Sequence, residues 1–323
     1  MTSSNSQDID KLAVELSQAG VADTHFHIGP ELLPRRYDVA ALAAAARAWD
    51  ATLVLKNHTY PTTPLAAHAR QHEGVNFLGG TVLNRFVGGL SADAVMSAWS
   101  GNRADVSGAR NDPAFVVWMP TVHAESHLAS QGQSFDPRWG GCEACNQMHE
   151  EAPDDEVPVR VFGADGQPVP ELALVLEAIA QYGARLATGH LSAEEIMKLV
   201  PLALAAGVPG IILTHPHYPS VELSDEQLIE LTKDKKVYIE HCLAIHTIEQ
   251  VPLMRFEKSI EATGTEQVIL STDFGQVQSD PFPDATVRFA HGIDRVSQGR
   301  IPHQDLISMF TKNPKRALGL VEE

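Results

Sequence analysis

The stretch Asp23-Thr24-His25-Phe26-His27-Ile28-Gly29 decides the fold that we predict for this chain. It follows the apolar pair Val21-Ala22 and runs into a turn at Gly29-Pro30, so it predicts a first β-strand. Alternate side chains of a strand share a face, so His25 and His27 point the same way. Two imidazoles on a rigid strand form half of a transition-metal site. Two ordinary polar histidines at a strand end would give the same pattern, and the rest of the chain must decide.

Composition narrows the class of protein. The chain has 323 residues, of which 44% are hydrophobic and 20% charged, which is typical of a globular protein with a large core. The net charge of -17 would repel a phosphate backbone, so nucleic acid is not an expected partner. The sequence shows no basic-apolar leader and no run that could span a bilayer, so we expect no membrane and a cytoplasmic location. Three cysteines are too few for a disulfide framework, which agrees with a reducing compartment.

After the opening stretch, short apolar segments alternate with helical patterns along the chain. Seven further strands are predicted, at 51–56, 77–84, 115–123, 185–190, 210–215, 236–241 and 268–273. Capping boxes at Ser192 and Ser224 start two of the helices, and one helical stretch is expected at about 246–263. Continuously apolar strands require a parallel sheet covered on both faces. We therefore predict an α/β fold, a (β/α)8 TIM barrel formed by one domain, 1–323. A doubly wound open sheet is the alternative, but the first strand is not followed by a glycine-rich phosphate loop.

The segment at about 125–169 does not fit the repeat. It is polar, rich in glycine, proline and acidic residues, and lies between strand four and its helix, so we expect a lid-like insertion over the barrel mouth. Within it, Cys142 and Cys145 with His149 could form half of a small structural zinc site that His123 or His127 completes. Two free thiols are the alternative.

Polar residues that could perform chemistry gather where the predicted strands end. They are His25, His27, Lys56, His58, His123, His190, His215, His217 and Asp273. The carboxyl ends of barrel strands carry the loops that build active sites. Structural histidines scattered through a fold would not prefer strand ends, so this pattern indicates a metal site.

This set of positions resembles the amidohydrolase superfamily of metal-dependent barrel hydrolases. The resemblance rests on His-x-His on strand one, a histidine after strands five and six, and an aspartate after strand eight. The closing segment 313–320 is similar to the terminal helix of the phosphotriesterase-like and deoxyribonuclease-like branches. The chain also resembles a less characterised group of amidohydrolase-related proteins, which have the same segments at 55–58, 187–192, 214–216 and 239–242. The resemblance covers nearly the whole chain, and its ligand motif is specific only as a set.

The resemblance implies one or two divalent metal ions, with zinc expected and manganese, iron or cobalt as alternatives. His25, His27 and Asp273 would hold the more buried ion, and His190 and His215 the more exposed one. Many such proteins bridge the ions with a carboxylated lysine or a glutamate on strand four, which is absent here. Lys56 on strand two could serve as a carbamate, with Glu125 or His123 as substitutes; alternatively it is a charged lysine that binds a substrate carboxylate or an internal aspartate.

The implied function is a metal-dependent hydrolase that opens a cyclic amide, lactone, ester or related C–N or C–O bond of a small molecule. A divalent ion lowers the pKa of bound water from about 16 to about 7. Asp273 would act as general base, and His215 or the second ion would polarise the scissile carbonyl. Arg85 could clamp a substrate carboxylate, although a structural salt bridge fits it equally well. The other substrate-binding candidates are His58, His123, His217, Glu240 and His241.

Two other functions remain open at this stage. One is a mononuclear metal-dependent lyase, a decarboxylase or hydratase, on the same barrel; a single tightly held ion would favour it. The other is a non-catalytic binding protein, which would keep ligand affinity after Asp273→Asn. The sequence fixes neither the substrate nor the oligomeric state, and a homo-oligomer is compatible with it.

Overall fold

Parallel strands and helices alternate along the chain in the computed structural model, which describes residues 2–102, 113–140 and 157–321. The fold is α/β and the strands belong to a TIM barrel, as the sequence predicts. The strands are β1 (Ala22–His27), β2 (Thr52–Lys56), β3 (Asn76–Leu78), β4 (Gly80–Val82), β5 (Val116–Trp118), β6 (Arg185–Ala187), β7 (Ile211–Thr214), β8 (Val237–Cys242) and β9 (Val268–Ser271). All the strand pairs are parallel, in the orders β1-β2-β3 and β4-β5-β6-β7-β8-β9.

The third strand of the barrel is broken into β3 and β4 at Gly79. A Cβ atom at Gly79 would lie 2.4 Å from the Cα of Thr63, so only glycine fits where the helix after β2 crosses the sheet. The carbonyl of Gly79 still accepts a hydrogen bond of 3.1 Å from the amide of Val116 on β5. The two segments therefore act as one strand, and the nine segments form eight barrel strands.

The first and last strands are joined by hydrogen bonds, which closes the ring. The amide of His27 donates to the carbonyl of Phe274 at 2.7 Å, and the amide of Asp273 donates to the carbonyl of His25 at 2.9 Å. The buried Asp23 carboxylate reinforces the seam. It accepts from the His25 amide at 2.9 Å, from the Thr272 amide at 3.1 Å and from the Thr272 hydroxyl at 2.6 Å.

The described helices cover the outside of the ring or connect its strands. They are α1 (Thr2–Ala19), α2 (Val39–Arg47), α3 (Thr63–Glu73), α4 (Ala92–Gly101), α5 (Glu125–Gln131), α6 (Pro137–Gly140), α7 (Pro170–Gln181), α8 (Ala193–Ala205), α9 (Asp225–Leu231), α10 (Leu243–Thr247), α11 (Leu253–Thr263), α12 (Asp284–Ser297), α13 (His303–Phe310) and α14 (Lys312–Ala317). Both capping boxes form, at Ser192 and Ser224. The stretch expected as one helix at 246–263 is two, α10 and α11, because Pro252 lacks an amide hydrogen and cannot continue a helix. None of the described helices is long and apolar enough to cross a membrane.

Two apolar clusters form the core. The larger lies between the strands and the surrounding helices. The smaller receives one or two side chains from every strand from β2 to β9, among them Val54, Trp118 and Ile212. Side chains from so many strands of a closed ring can meet only inside it, so this cluster fills the barrel interior.

Part of the predicted insertion is described. Helices α5 and α6 lie in it, and the amide of Val159 donates to the carbonyl of His123 at 2.8 Å, which returns the chain to the barrel rim. Cys142, Cys145 and His149, the proposed structural zinc ligands, lie outside the described residues.

Candidate active site

Two histidines of β1 and one aspartate beyond β9 converge on a single point. His25 Nε2 lies 3.0 Å and His27 Nε2 lies 3.1 Å from the same oxygen of Asp273, Oδ1. Both imidazoles are buried. Burial would raise the pKa of Asp273, but hydrogen bonds and charge from His25 and His27 hold that pKa well below its usual value. Asp273 is therefore a carboxylate, and the three groups form a compact N,N,O donor set of the kind that a divalent cation prefers.

The hydrogen bonds around His25 select its tautomer. Its Nδ1 lies 3.1 Å from Glu240 Oε2, and the other oxygen of Glu240 accepts from the hydroxyl of Thr24. Burial alone would raise the pKa of Glu240, but these partners lower it. Because a carboxylate can only accept, His25 carries a proton on Nδ1, so Nε2 is the nitrogen that a cation beside Asp273 would use.

His190 and His215 lie beside each other and close to His25. Their ring centroids are 4.9 Å apart, and the ring of His215 stacks 5.9 Å from that of His25. Burial lowers the pKa of His215 to about 3, so its imidazole is neutral. The two β-strands that precede them, β6 and β7, thus supply the second half of the predicted ligand set.

His127 from the insertion fixes the orientation of His190, a role that is not among our predictions from the sequence. Its Nε2 lies 3.0 Å from the carbonyl of Ser134, and its Nδ1 lies 3.0 Å from Nδ1 of His190. Burial lowers the pKa of His127 to about 4, so the ring is neutral and donates only through Nε2. The proton between the two Nδ1 atoms then belongs to His190. The Nε2 lone pair of His190 is therefore free for a ligand.

Strained backbone marks the same positions. Asp273 has a φ of +53° and His215 a φ of +27°, in the left-handed region that residues other than glycine rarely adopt. Gly189, just before His190, has a φ of +61°, and a Cβ there would lie 2.5 Å from the carbonyl oxygen of Met119. Such conformations persist where the surrounding structure imposes them, often at functional sites.

Lys56 at the end of β2 joins this group. Its side chain is buried, and Nζ lies 2.8 Å from His25 Nε2 and 5.5 Å above the ring of Trp118. Burial lowers the pKa of Lys56, although the charges of Asp273 and Glu240 oppose the shift. The structure thus brings together all six residues that the sequence predicts as metal ligands.

A pocket opens directly over these residues. It has an empty volume of about 390 Å³, including the part that is open to solvent. It is lined by His27, Arg35, His58, Trp139, His190, His215, Tyr218, Ala244, Ile245, Ile248, Glu249, Asp273 and Gln276. Trp139 belongs to α6, so the insertion forms part of the pocket wall. Neither Arg35 nor Trp139 is among the residues that the sequence predicts for the site.

The predicted substrate-binding residues lie in different places. His58 lines the pocket, with Nδ1 3.0 Å from the hydroxyl of Thr121. Glu240 lies behind His25 rather than on the pocket wall. His217 and His241 stack on each other, with ring centroids 5.1 Å apart, and neither lines this pocket. 

The remaining two candidates, His123 and Arg85, also lie outside the pocket lining. His123 packs against Phe86 with ring centroids 4.9 Å apart. Arg85 is exposed and lines a separate surface cleft with Gly88, Val159 and Arg160. Their roles in binding stay predictions.

Residues 20–240 match the family of unknown function DUF6282. The chain belongs to this family. The match includes β1, the HxH pair, Lys56, His190 and His215, and it ends before Asp273. No curated protein matches the DUF6282 chain significantly.

Solved structures similar to the DUF6282 chain include proteins described as an amidohydrolase, an organophosphorus hydrolase and a lactonase template. A mutant of the organophosphorus hydrolase from Deinococcus radiodurans is 15% identical over 94% of both chains, with a TM-score of 0.50. A lactonase template engineered for organophosphate hydrolysis is 15% identical over 94% of this chain and 97% of its own, with a TM-score of 0.51. An amidohydrolase from Pseudomonas aeruginosa is 10% identical over 95% of this chain and 98% of its own, with a TM-score of 0.49. At such low identity, the first two similarities establish the fold.

Proposed function

We propose that this DUF6282 protein is a metal-dependent hydrolase of a small molecule. The observation that carries the proposal is the convergence of His25 Nε2 and His27 Nε2, at 3.0 and 3.1 Å, on one carboxylate oxygen of Asp273. Two imidazole nitrogens and one carboxylate oxygen at this spacing form a donor set that a divalent cation would complete. Binding a ligand alone would not require such a set.

His25, His27 and Asp273 would hold one ion, and His190 and His215 a second. Their protons are placed for this role, because Glu240 and His127 occupy the Nδ1 atoms of His25 and His190. Zinc is the proposed metal. When bound, a divalent ion supplies a water of lowered pKa and polarises a substrate oxygen.

Lys56 is the proposed bridge between the two positions. Within the described residues no carboxylate pairs with its Nζ, which instead lies beside a ring nitrogen of the ligand set. A charged ammonium there would repel a cation. We propose that the amine adds carbon dioxide, with loss of a proton, to form a carbamate whose two oxygens face the ions.

The residues of the chain itself then perform the remaining steps. Asp273, held as a carboxylate, takes a proton from the attacking water at its free oxygen and passes it to the leaving group. His215 faces the same space and would position the scissile carbonyl. Trp139 and Tyr218 form apolar walls that exclude bulk water from the bond that breaks.

The proposed substrate carries a cyclic amide, a lactone, an ester or a related C–N or C–O bond. The size of the pocket supports a small molecule rather than a macromolecule. The similar structures described as an organophosphorus hydrolase and a lactonase template support hydrolysis as the reaction class. Cytoplasmic location remains part of the proposal.

The test combines metal analysis with a substrate panel. Purified protein is analysed for bound metal by inductively coupled plasma mass spectrometry and assayed with lactones, cyclic amides, aryl esters and a phosphotriester. We expect bound zinc and turnover of at least one class, with ¹⁸O from water in the acid product. Asp273→Asn should lower turnover at least about 100-fold, whereas Asp280→Asn, at an exposed ion pair, should not. Metal-free protein that turns over a substrate at the same rate as loaded protein would refute the proposal.

A further inference from the structure

Arg35 lines the pocket and carries buried hydrogen-bond donors that are not used. Its side chain is only 1% exposed, and Nε donates to Glu31. Its two terminal nitrogens, Nη1 and Nη2, are buried and have no hydrogen-bond partner within the described chain. Buried donors without acceptors are rare, because each has lost its hydrogen bonds to water without replacing them. Both terminal nitrogens of this guanidinium are unpaired, and the residue lines a pocket. This arrangement therefore indicates a missing ligand.

The position of Arg35 is fixed by its surroundings. The other oxygen of Glu31 accepts from the amide of His58 at 2.6 Å, which ties the arginine to the end of β2. The amide of Arg36 donates to the carbonyl of Gly275 at 2.7 Å, and Arg35 forms an isolated bridge with Gln276. The guanidinium is thus held in place before any ligand arrives, which is the condition for strong and specific binding.

Arg138 and Arg85, which lie outside this pocket lining, do not share this feature. Arg138, near the same mouth, donates hydrogen bonds to Asp136, Glu249 and the carbonyl of Ile248. Arg85, the clamp that the sequence predicts, is exposed and lines a different cleft. Arg35 is instead in the lining that also contains His27 and Asp273.

We propose that Arg35 binds a carboxylate of the substrate through Nη1 and Nη2. The planar fork of a guanidinium offers two nearly parallel donors, which match the two oxygens of a carboxylate. Glu31 balances the charge at Nε but leaves this fork unused. The inference rests on the proposed function, which supplies the reaction, and it narrows the class of substrate for that reaction. The substrate is a small carboxylic acid. The bond that breaks is an amide, a lactone or an ester, and its distance from the acid group does not exceed the length of the pocket.

Binding of small probes tests this inference without knowledge of the substrate. Succinate and its uncharged isostere succinamide are titrated into metal-loaded protein by isothermal calorimetry, with inorganic phosphate as a third probe. We expect succinate to bind at least 10-fold more tightly than succinamide and more tightly than phosphate. The double variant Arg35→Met/Glu31→Gln, which leaves no lone buried carboxylate, should abolish the preference. Arg35→Lys should retain only part of it.

The matched control is Arg47→Met, an exposed arginine that pairs with Glu73 on the outside of the barrel and should keep the full preference. A preference for succinate that persists in the double variant would place the carboxylate elsewhere, for example on the metal, and overturn the inference. Tighter binding of phosphate, or loss of the preference in Arg85→Met alone, would also overturn it.

Metal content and thermal unfolding are measured on the same samples. Protein that holds no metal but still prefers succinate through Arg35 would refute the proposed function and keep the carboxylate site. Protein that holds metal and shows no such preference would refute the carboxylate site and keep the proposed function. If the double variant does not unfold cooperatively, Arg35→Lys and Arg35→Gln supply the comparison.

Discussion

His127 and His190 face each other through their Nδ1 atoms at 3.0 Å, and the proton in that contact belongs to His190 because His127 donates to the carbonyl of Ser134. His127 is therefore a positioning residue. We expect His127→Ala to weaken metal binding at His190 and His215 by about 10- to 100-fold and to leave the site at His25 and His27 intact. A two-site metal titration measures both affinities.

The conservative variant His127→Asn, whose amide oxygen can accept from His190, should recover part of the lost affinity. Equal weakening of both sites by His127→Ala would show that the residue supports the fold as a whole rather than one tautomer.

Asp23 should carry a large part of the stability of the barrel seam. Its carboxylate accepts three hydrogen bonds, from the amides of His25 and Thr272 and the hydroxyl of Thr272. Asn at this position has one oxygen and would turn an amide N–H toward a donor. We expect Asp23→Asn to lower the free energy of unfolding by about 2–3 kcal/mol, measured by urea titration. Asp280→Asn, at an exposed ion pair, should change it by less than about 0.5 kcal/mol; similar losses in the two variants would contradict the role of Asp23.

Lys56 should determine how many metal ions bind. If its carbamate bridges two ions, the wild type binds two per chain and Lys56→Met keeps only the ion at His25, His27 and Asp273. Native mass spectrometry counts the ions, and loading in ¹³C-bicarbonate should give a carbamate signal that the variant lacks. Two ions in Lys56→Met, or no carbamate signal in the loaded wild type, would exclude the bridge.

His123 should make the fold sensitive to acid. Burial and the nearby positive charge of Arg85 lower the pKa of His123 from 6.5 to about 4, with a further contribution from His127. The unfolded chain takes up a proton at this position below pH 6.5, whereas the folded chain does so only near pH 4. Stability is therefore present above pH 6.5 and is lost as pH falls through this window.

We expect the contribution of His123 to this loss between pH 7 and pH 5 to be on the order of 1 kcal/mol. Urea unfolding of His123→Gln at both pH values tests it. An unchanged difference between the two pH values would contradict the assignment.

The barrel strands and the candidate metal ligands could be predicted because both recur in a regular pattern along the sequence. Each strand is a short apolar run, and the residues at its carboxyl end, such as His190 and His215, lie on one rim by geometry alone. The same logic missed α12, Asp284–Ser297, where apolar and polar residues alternate without a cap that marks the start. It also predicted one helix at about 246–263, where Pro252 separates α10 from α11.

Arg35 and His127 could not be predicted in this way. Arg35 lies in the loop after β1 and His127 in α5, a short helix of the insertion, and neither segment has a periodicity that tells which direction the side chain takes. Their roles depend on partners far away in the sequence or on the absence of partners: Glu31 binds one edge of Arg35 and leaves the other free, and His190 is 63 residues from His127. Such relationships exist only once the ring has closed.

The seam between β1 and β9 places the two ends of the barrel sequence side by side, and each contributes to the same cation position. Uptake of the proposed metal would therefore depend on the final step of assembly. During synthesis, a nascent chain that has not yet released Asp273 from the ribosome has no complete site, so it cannot capture an ion there prematurely. Occupancy by metal can accordingly serve as a reporter that distinguishes fully assembled molecules from collapsed intermediates.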